Sequence, residues 1–232
     1  MNPRSLDTLN RKITACKLCP RLVRWRTKVA REKTLRYRDQ EYWGKPIPGF
    51  GDPHARLLLV GLAPAAHGGN RTGRMFTGDR SGDWLYRALY NAGFARHPRS
   101  IDRNDGQELT DCFITATCRC APPLNKPLHR EIRNCRPFLH AELKILDRVE
   151  VIVGLGKLGF DTAYQAFVEL GRASLPKKPR FGHGVEVQLN ESVTLLGSFH
   201  PSQQNTFTGR LTEPMFNAVF RRVNTLLNRR NT

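Results

Sequence analysis

The sequence lacks any run of about 18 apolar residues, which is the length a helix needs to span a bilayer, and this absence excludes a transmembrane helix. Residues 1–7 also lack the apolar central region of a secretory signal peptide. We therefore expect a cytoplasmic location. In a reducing compartment, the six cysteines are expected to be metal ligands or free thiols rather than disulfides.

Acidic residues are scarce relative to basic ones. The 232 residues include 38 Lys and Arg against 20 Asp and Glu, a formal net charge of +18. This surplus favours a polyanionic partner, because a basic surface gains affinity by displacing counterions from phosphates. The sequence therefore predicts a nucleic-acid ligand, with an anionic membrane as the second choice and solubility through net charge as the simplest alternative.

Short apolar runs bounded by Gly and Pro predict the strands of a buried parallel sheet. These runs occupy residues 57–60, 112–117, 149–153 and 193–196. Helical spacing of apolar residues is present at residues 83–93, 128–146, 160–170 and 212–229, with Pro137 expected to kink the second helix or to start a new one. The chain is long enough for one α/β domain over residues 1–232, whose central parallel sheet is flanked by helices. A basic N-terminal segment, residues 1–50, precedes the core and carries Cys16 and Cys19.

A glycine pattern near the middle of the chain invites a nucleotide-binding interpretation. Gly154, Gly156 and Gly159 match G-x-G-x-x-G after a predicted strand. The acidic residue expected about 20 positions further on has no candidate, because residues 172–183 form a loop rich in Pro, Lys and Gly. We therefore interpret the pattern as a tight strand-to-helix turn and expect no nicotinamide cofactor. A nucleotide-dependent oxidoreductase is kept as a rival hypothesis.

Two polar loops follow predicted strands, one at residues 61–70 and one at residues 199–205. The carboxyl ends of parallel strands meet at one edge of a sheet, where α/β proteins place their ligands, so the two loops predict a site. His200 is the main candidate. It lies in a polar turn with Pro201, Ser202, Gln203 and Gln204, which disfavours a packed core histidine.

The cysteine spacing suggests a metal centre that is split across the fold. Cys16-x-x-Cys19 has highly charged surroundings, and with Cys120 and Cys135 it supplies four thiolates. Four thiolates suit either tetrahedral zinc or a [4Fe–4S] cluster, and the spacing does not choose between them. We interpret Cys112 and Cys118 as buried free thiols, although Cys118 is close enough to Cys120 to replace it as a ligand.

Taken together and in order, these motifs resemble the uracil-DNA glycosylase superfamily, and closely its fifth family, the type b enzymes. The resemblance is carried by residues 16–19, 48–53, 61–68, 70–74, 76–79, 119–123, 125–127 and 200–202. It implies a three-layer fold and a monofunctional hydrolase that flips uracil out of DNA and cleaves its N-glycosidic bond in base-excision repair. It also implies that the four cysteines hold a structural [4Fe–4S] cluster. The alternative is an iron–sulfur protein that binds nucleic acid without glycosylase chemistry.

The resemblance also implies roles for individual residues. Cleavage leaves negative charge on the departing base, so His200 is expected to donate a hydrogen bond to the base oxygen. Ala65 stands where other members of the superfamily carry Asp or Asn to position the attacking water, and we expect Asp79 to hold the water instead. A helix N-cap is the alternative role for Asp79. No lysine is placed for a Schiff base, so strand cleavage is not expected.

The remaining predicted contacts are with the base and with DNA. Backbone N–H groups of Gly61, Ala63 and Ala65 are expected to hold the base and Phe76 to stack on it, a core phenylalanine being the alternative. Residues 115–117 lack the asparagine with which many relatives read uracil. We therefore expect Asn125 or Asn70 to supply the amide, and a substrate range that includes hypoxanthine. Predicted DNA contacts are Ser202, which is also a candidate helix N-cap, Gln203, Gln204, Asn205 and Arg210. The enzyme is expected to act as a monomer.

Overall fold

The computed structural model describes residues 5–173 and 177–229, which form six strands and eight α-helices. The strands are β1 (Phe50–Gly51), β2 (Leu57–Gly61), β3 (Cys112–Ala116), β4 (Val151–Leu155), β5 (Glu186–Gln188) and β6 (Thr194–Ser198). The helices are α1 (Leu6–Thr14), α2 (Pro20–Glu32), α3 (Gly69–Thr72), α4 (Arg80–Asn91), α5 (His129–Ile145), α6 (Gly156–Glu169), α7 (Gln203–Phe207) and α8 (Glu213–Arg229). Short 3₁₀ turns occur at Leu35–Tyr37 and Pro123–Asn125. In the described ranges, no helix is both long and apolar enough to cross a membrane.

The strands form one sheet in the order β1-β3-β2-β4-β6-β5. The four inner strands are parallel, and the short edge strands β1 and β5 pair antiparallel to their neighbours. Every residue of the inner strands is buried, because helices cover both faces of the sheet. One apolar core lies on the face of α4 and α8, and the other lies on the face of α5 and α6. The predicted α/β fold with a central parallel sheet is confirmed.

The N-terminal segment crosses the edge of the sheet where the parallel strands end. Three backbone N–H groups of this segment donate to carbonyls of the loops after β2 and β3: Trp43 to Arg71, Gly44 to Asn70 and Ile47 to Arg119. Helix α1 packs against α5 through Leu9 and Ile13. The segment thus covers one side of the region where the sequence predicts the site.

Helix α5 differs from the sequence-based expectation. It runs without interruption from His129 to Ile145 with Pro137 inside it, so no new helix starts after Cys135. A proline within a helix costs about 3 kcal/mol. The buried stripe continues on both sides of Pro137, with Ile132 before it and Leu139 and Leu143 after it. Burying one such side chain contributes roughly 1.5–3 kcal/mol, so packing outweighs the local cost.

The glycine pattern is a strand-to-helix turn, as predicted. Gly154 lies in β4 and α6 begins at Gly156. A Cβ on Gly154 would meet the backbone of Phe160 in α6, and a Cβ on Gly159 would collide with the carbonyl of Val60 in β2. These two glycines therefore let helix and sheet approach closely.

Candidate active site

The predicted site residues come from loops that follow parallel strands of the sheet. His200 follows β6, the turn of residues 62–68 follows β2, and Asn125 lies in the loop after β3. Phe76 and Asp79 lie further along the chain, between α3 and α4. The parallel register brings these loops to one edge of the sheet, where ligands of α/β proteins bind.

Phe76 connects the turn after β2 with His200. Its ring centroid lies 5.7 Å from that of His200, and the planes are inclined by 30°. A Cβ on Gly61 would be 2.8 Å from two ring atoms of Phe76, so the ring covers the bare backbone at the end of β2. Phe76 is partly buried and has a positive φ of 52°, an unusual backbone conformation for an aromatic residue. Backbone, aromatic ring and imidazole therefore lie in contact at one place.

The loop that carries Phe76 is held by two buried arginines. Nη2 of Arg74 donates to Ser100 at 2.6 Å and forms an ion pair with Asp105 at 2.5 Å. Nη2 of Arg71 donates to the carbonyl of Gly78 at 2.8 Å, and its Nε donates to the carbonyl of His67 at 2.8 Å. Sequence reasoning assigned no role to these arginines. A buried arginine cannot be distinguished from a surface one by composition in so basic a chain.

His200 is an imidazole that stays neutral at neutral pH. Burial lowers its pKa to about 4. The loop around it is fixed by Asn205, whose Nδ2 donates to the carbonyl of His200 at 2.8 Å. A neutral imidazole retains one N–H, so His200 keeps a hydrogen-bond donor without carrying charge.

Asp79 makes the helix cap that the sequence analysis gave as its alternative role. It is the N-cap of α4, and its Oδ1 accepts from the backbone N–H of Gly82 at 2.9 Å. Its other oxygen, Oδ2, faces the turn after β2, because a Cβ on Gly68 would collide with it. Burial raises the pKa of this carboxyl group. Capping thus occupies one oxygen and leaves the other directed at the predicted site.

The turn after β2 presents free backbone donors. Among the described residues, the N–H groups of Ala63 and Ala65 donate to no protein acceptor. The side chain of Ala63 packs against the cysteine group formed by Cys118 and Cys135. The turn therefore lies between the candidate catalytic residues on one side and cysteines on the other.

The two candidate asparagines have very different environments. Asn70 is 1% exposed, and its Nδ2 donates to the carbonyl of Arg26 in α2 at 3.2 Å. Asn125 is exposed and has a φ of 55°, following Leu124 with a φ of 54°. Neighbouring Leu124 is itself 83% exposed. Asn125 is the one whose amide is accessible from solvent.

The predicted DNA-contacting residues divide into two groups. Ser202 is the N-cap of α7, with its Oγ accepting from the N–H of Asn205 at 3.3 Å, so its capping role is confirmed. Ser202 and Asn205 therefore stabilise the loop internally. Gln203, Gln204 and Arg210 are exposed, and the guanidinium of Arg210 lies 4.7 Å above the ring centroid of Phe199.

Five of the six cysteines form one group beside the turn after β2. Cys19 packs with Cys120, Cys118 packs with Cys135, and Cys16 is close enough to affect the pKa of Cys19 and Cys120. Burial, together with the neighbouring thiols, raises the pKa of Cys120 to about 12. A hydrogen bond from Cys118 lowers the pKa of Cys135 to about 7. Cys118, interpreted as a buried free thiol with replacement of Cys120 as a ligand the alternative, is buried beside Cys135 in this group, whereas Cys112 lies in the apolar core as expected.

A buried ion pair supports the cysteine group and was not foreseen from the sequence. Nη2 of Arg119 contacts Oε2 of Glu142 at 2.5 Å, and Oγ1 of Thr115 donates to the same oxygen at 2.7 Å. Arg119 lies between Cys118 and Cys120 and helps to lower the pKa of Cys135. In the part of the chain that the structure describes, no three His, Cys, Asp or Glu side chains converge on a position for one metal ion.

Comparisons with known proteins indicate the family that the chain resembles. The model of the uracil DNA glycosylase superfamily matches residues 48–224. Two similar proteins are named type-5 uracil-DNA glycosylase. The protein from Mycobacterium tuberculosis is 53% identical over 94% of this chain and 80% of its own length. The protein from Mycobacterium leprae is 53% identical over 94% of this chain and 93% of its own length. A protein of the same name from Thermus thermophilus is 48% identical over 88% of this chain and 90% of its own.

Proposed function

The chain belongs to the uracil DNA glycosylase superfamily, and on that premise we propose how its own residues perform the reaction. It is a hydrolase that cleaves the N-glycosidic bond of uracil in DNA and so acts in DNA repair. The observation that carries the assignment of residues is the contact of Phe76 with both the Gly61 backbone and the His200 imidazole. It provides a stacking surface and a neutral donor in one place.

His200 stabilises the leaving group. As the glycosidic bond breaks, negative charge develops on the base and positive charge on the sugar. A neutral N–H donor directed at the base oxygen stabilises that charge in the transition state. The free N–H groups of Ala63 and Ala65 are assigned as further donors to the base, and Phe76 as the ring that stacks on it. No covalent intermediate is needed, which fits a monofunctional enzyme.

Asp79 holds the attacking water. Its Oδ1 is fixed by the cap of α4, so the direction of Oδ2 is set by the helix itself. Above its raised pKa, the carboxylate accepts a hydrogen bond from water and orients it towards the sugar, and it also faces the positive charge that develops there.

We propose a substrate range that extends to hypoxanthine. The two threonine hydroxyls near the end of β3 are already engaged, that of Thr115 with Glu142 at 2.7 Å and that of Thr117 with the carbonyl of Gly61 at 3.0 Å. Ala116 between them has no polar side chain. A site that lacks a dedicated hydrogen-bonding reader discriminates less between bases. The exposed Asn125 is the candidate for the remaining recognition, since Asn70 is 1% exposed and its Nδ2 donates to the carbonyl of Arg26.

DNA is held by exposed residues around α7. Gln203 and Gln204 face solvent, and so does the ring of Phe207, which is 68% exposed with the guanidinium of Arg80 4.2 Å from its centroid. Arg210 adds a second exposed cation. These groups combine stacking with phosphate attraction, which suits a DNA strand from which one base has been flipped. We propose that the enzyme acts as a monomer in the cytoplasm.

The donor set of the cysteine group fits an iron–sulfur cluster. A tetrahedral zinc ion needs four ligands about 2.3 Å from one point, whereas four iron atoms offer a separate position to each thiolate. The cysteines are grouped, with Cys19 against Cys120 and Cys118 against Cys135, and the resemblance to the type b enzymes favours the cluster over zinc. We propose that Cys16, Cys19, Cys120 and Cys135 hold a [4Fe–4S] cluster. When bound, it ties α2, the loop after β3 and α5 together as a structural group.

The proposal is tested with an end-labelled duplex that contains one uracil, followed by alkali to cleave any abasic site. Hypoxanthine-containing and undamaged duplexes are run in parallel. We expect alkali-labile product from both damaged duplexes and none from the undamaged one. Absence of product from cluster-intact protein would leave nucleic-acid binding without chemistry as the better account.

A matched pair of variants separates the two roles of Asp79. Asparagine is as good an N-cap as aspartate but has no negative charge, so Asp79→Asn keeps the cap and removes the carboxylate. We expect its single-turnover rate to fall by about 10²-fold, the lower end of the range for losing a general base, while its Tm stays close to that of the wild type. Asp79→Ala should lose both the cap and the carboxylate, so that its Tm falls as well as its rate. Since an amide oxygen can also accept from water, near-normal rates in both Asp79→Asn and Asp79→Ala would show that the residue serves the helix alone.

A further inference from the structure

We propose that His183 is a positioning residue for His200: its imidazole fixes the backbone N–H of Phe199, the residue between β6 and His200. The proposal rests on the glycosylase function, since it concerns how the donor of that reaction is aimed. His183 lies in the segment that leads into β5 and was not singled out by any motif.

The contact is a direct hydrogen bond. The N–H of Phe199 donates to Nδ1 of His183 at 3.1 Å, and the two rings lie 5.0 Å apart with an inclination of 30°. Because Nδ1 accepts this bond, it carries no proton, and the proton of the neutral ring is on the other nitrogen. The backbone of Met215, in the first turn of α8, lies near enough to the ring to oppose the lowering of the His183 pKa. His183 thus lies between α8 and the end of β6.

Neighbouring contacts hold His183 in place. The N–H of Gly184 donates to the carbonyl of Gly197 at 2.8 Å, and the N–H of Gly197 donates to the carbonyl of Val185 at 2.8 Å. This ladder binds the segment to β6 immediately before Phe199. The ring of Phe181 lies 6.2 Å from that of Phe199, on which Arg210 is stacked. The ring of Phe199 is therefore held by several neighbours, whereas the backbone N–H of Phe199 is held by His183.

Two side chains therefore clamp the backbone around His200. Nδ1 of His183 accepts from the N–H of Phe199, the residue before His200. Nδ2 of Asn205 donates to the carbonyl of His200 itself at 2.8 Å. The backbone angles of Phe199 decide the direction in which His200 leaves the strand. A displacement of about 1 Å in a catalytic group can cost about 10²-fold in rate. A hydrogen bond that fixes the backbone at this position can therefore affect the rate strongly.

The clamp works only while His183 is neutral. Burial lowers the pKa of His183, so the neutral form persists below the ordinary histidine pKa. When the pH falls through this lowered pKa, Nδ1 becomes protonated and can no longer accept from Phe199. Charged groups on the surrounding elements are Arg210 and the ion pairs Glu186–Arg222 and Arg87–Glu213.

Two substitutions separate the hydrogen bond from ring packing. His183→Asn places an amide oxygen near the position of Nδ1 and keeps the acceptor without the ring. His183→Phe keeps a stacked ring without the acceptor. For uracil release at saturating enzyme, we expect the Phe variant to be about 10- to 100-fold slower, as for a displaced catalytic group, and the Asn variant to recover most of the rate. DNA affinity should change little in either.

The pH profile provides a readout that lost packing would not affect. Wild-type His183 is protonated as the pH falls, whereas Asn does not titrate. The ratio of the wild-type rate to the Asn rate should therefore decrease as the pH falls below 6.5, since loss of the Asp79 carboxylate affects both proteins alike. Amide exchange gives a second readout, in which the Phe199 N–H exchanges faster in the Phe variant.

The control is His140→Phe, the same replacement at a partly buried histidine on α5, where the imidazole contacts Glu169. Its rate should match that of the wild type. Equal rates for wild type and His183→Phe, or equal losses in the Phe and Asn variants, would overturn the positioning role. Failure of the wild type to release uracil would instead contradict the proposed function, and Phe199 exchange would still test the hydrogen bond.

Discussion

Two glycine-rich turns in this protein look alike in sequence and differ in what their glycines touch. In the turn after β2, a Cβ on Gly61 would meet the ring of Phe76 and a Cβ on Gly68 would collide with Asp79. In the turn after β4, the corresponding neighbours of Gly154 and Gly159 are backbone atoms of α6 and β2. The first turn makes room for side chains of the site, and the second makes room for the scaffold.

This difference explains why a glycine pattern alone is weak support for a binding site. Missing Cβ atoms allow close approach, but the pattern does not reveal what approaches. Where a functional side chain fills the space, substitution should reduce activity more than stability. Where backbone fills it, the order should be reversed. The following predictions test this contrast, from the largest expected effect to the smallest.

The largest effect is expected from His200→Ala, which removes the donor that faces Phe76 above the first turn. Loss of one such donor typically lowers the rate by 10²- to 10³-fold, about 3–4 kcal/mol of transition-state stabilisation. The measurement is single-turnover release of uracil at saturating enzyme. DNA affinity should stay within a few fold, because the neutral imidazole contributes no charge to phosphate binding. A large loss of affinity with an unchanged rate would place His200 among the DNA contacts instead.

The protonation state of His200 gives the same residue a stability signature. Its pKa is lowered to about 4 in the folded state, below the ordinary value of 6.5. Between these values the unfolded chain binds the proton and the folded chain does not, so the contribution to stability is complete above pH 6.5 and is lost as the pH falls towards 4. Urea unfolding over this range should therefore show a smaller decline in His200→Gln than in the wild type.

Gly68→Ala should produce the next largest effect. Its Cβ would collide with Oδ2 of Asp79 and lie 2.8 Å from its Cγ and 3.0 Å from its Cβ, so the whole carboxylate must shift, together with its cap of α4. We expect a loss of about 10²-fold in rate, as for a catalytic group displaced by about 1 Å. The Tm should fall by less than in Gly154→Ala, because the displaced group is a side chain and not helix backbone. A large fall in Tm with normal activity per folded molecule would mean that this turn, too, serves the scaffold.

Gly154→Ala tests the second turn. Its Cβ would meet the Cα and N of Phe160, and helix backbone cannot yield as a side chain can. Overpacking of this kind costs about 1–3 kcal/mol in the free energy of unfolding, which urea denaturation measures. At low temperature, where the variant remains folded, its rate of uracil release should stay within a few fold of the wild type. A rate loss as large as that of Gly68→Ala would erase the distinction between the turns.

The sequence allowed the fold to be predicted well because the strands are short apolar runs that are buried on both faces. It also indicated the loops of the site, since those loops follow strands whose direction is fixed. It does not reveal where long-range packing decides. Pro137 is accommodated within α5 by burial on either side of it, and Nδ2 of Asn70 donates to the carbonyl of Arg26, 44 residues earlier in the chain. The two roles of Asp79 were treated as alternatives, although a carboxylate has one oxygen for each.

Gly156→Ala probes the place where the two turns meet. Gly156 has a φ of 82°, and a Cβ there would lie 3.3 Å from the Cβ of His200. The left-handed conformation costs a residue with a side chain roughly 1–2 kcal/mol, which should appear as a modest loss of stability. The close contact is with the Cβ of His200, which must shift by a few tenths of an ångström, so we expect a decrease in rate of only a few fold. Stability and rate should thus fall together, because this glycine belongs to the scaffold turn and borders the site. Urea unfolding measures the stability and single-turnover kinetics measure the rate, both on the same preparation. A rate loss without any loss of stability would instead group Gly156 with Gly61 and Gly68, whose missing Cβ atoms make room for side chains of the site.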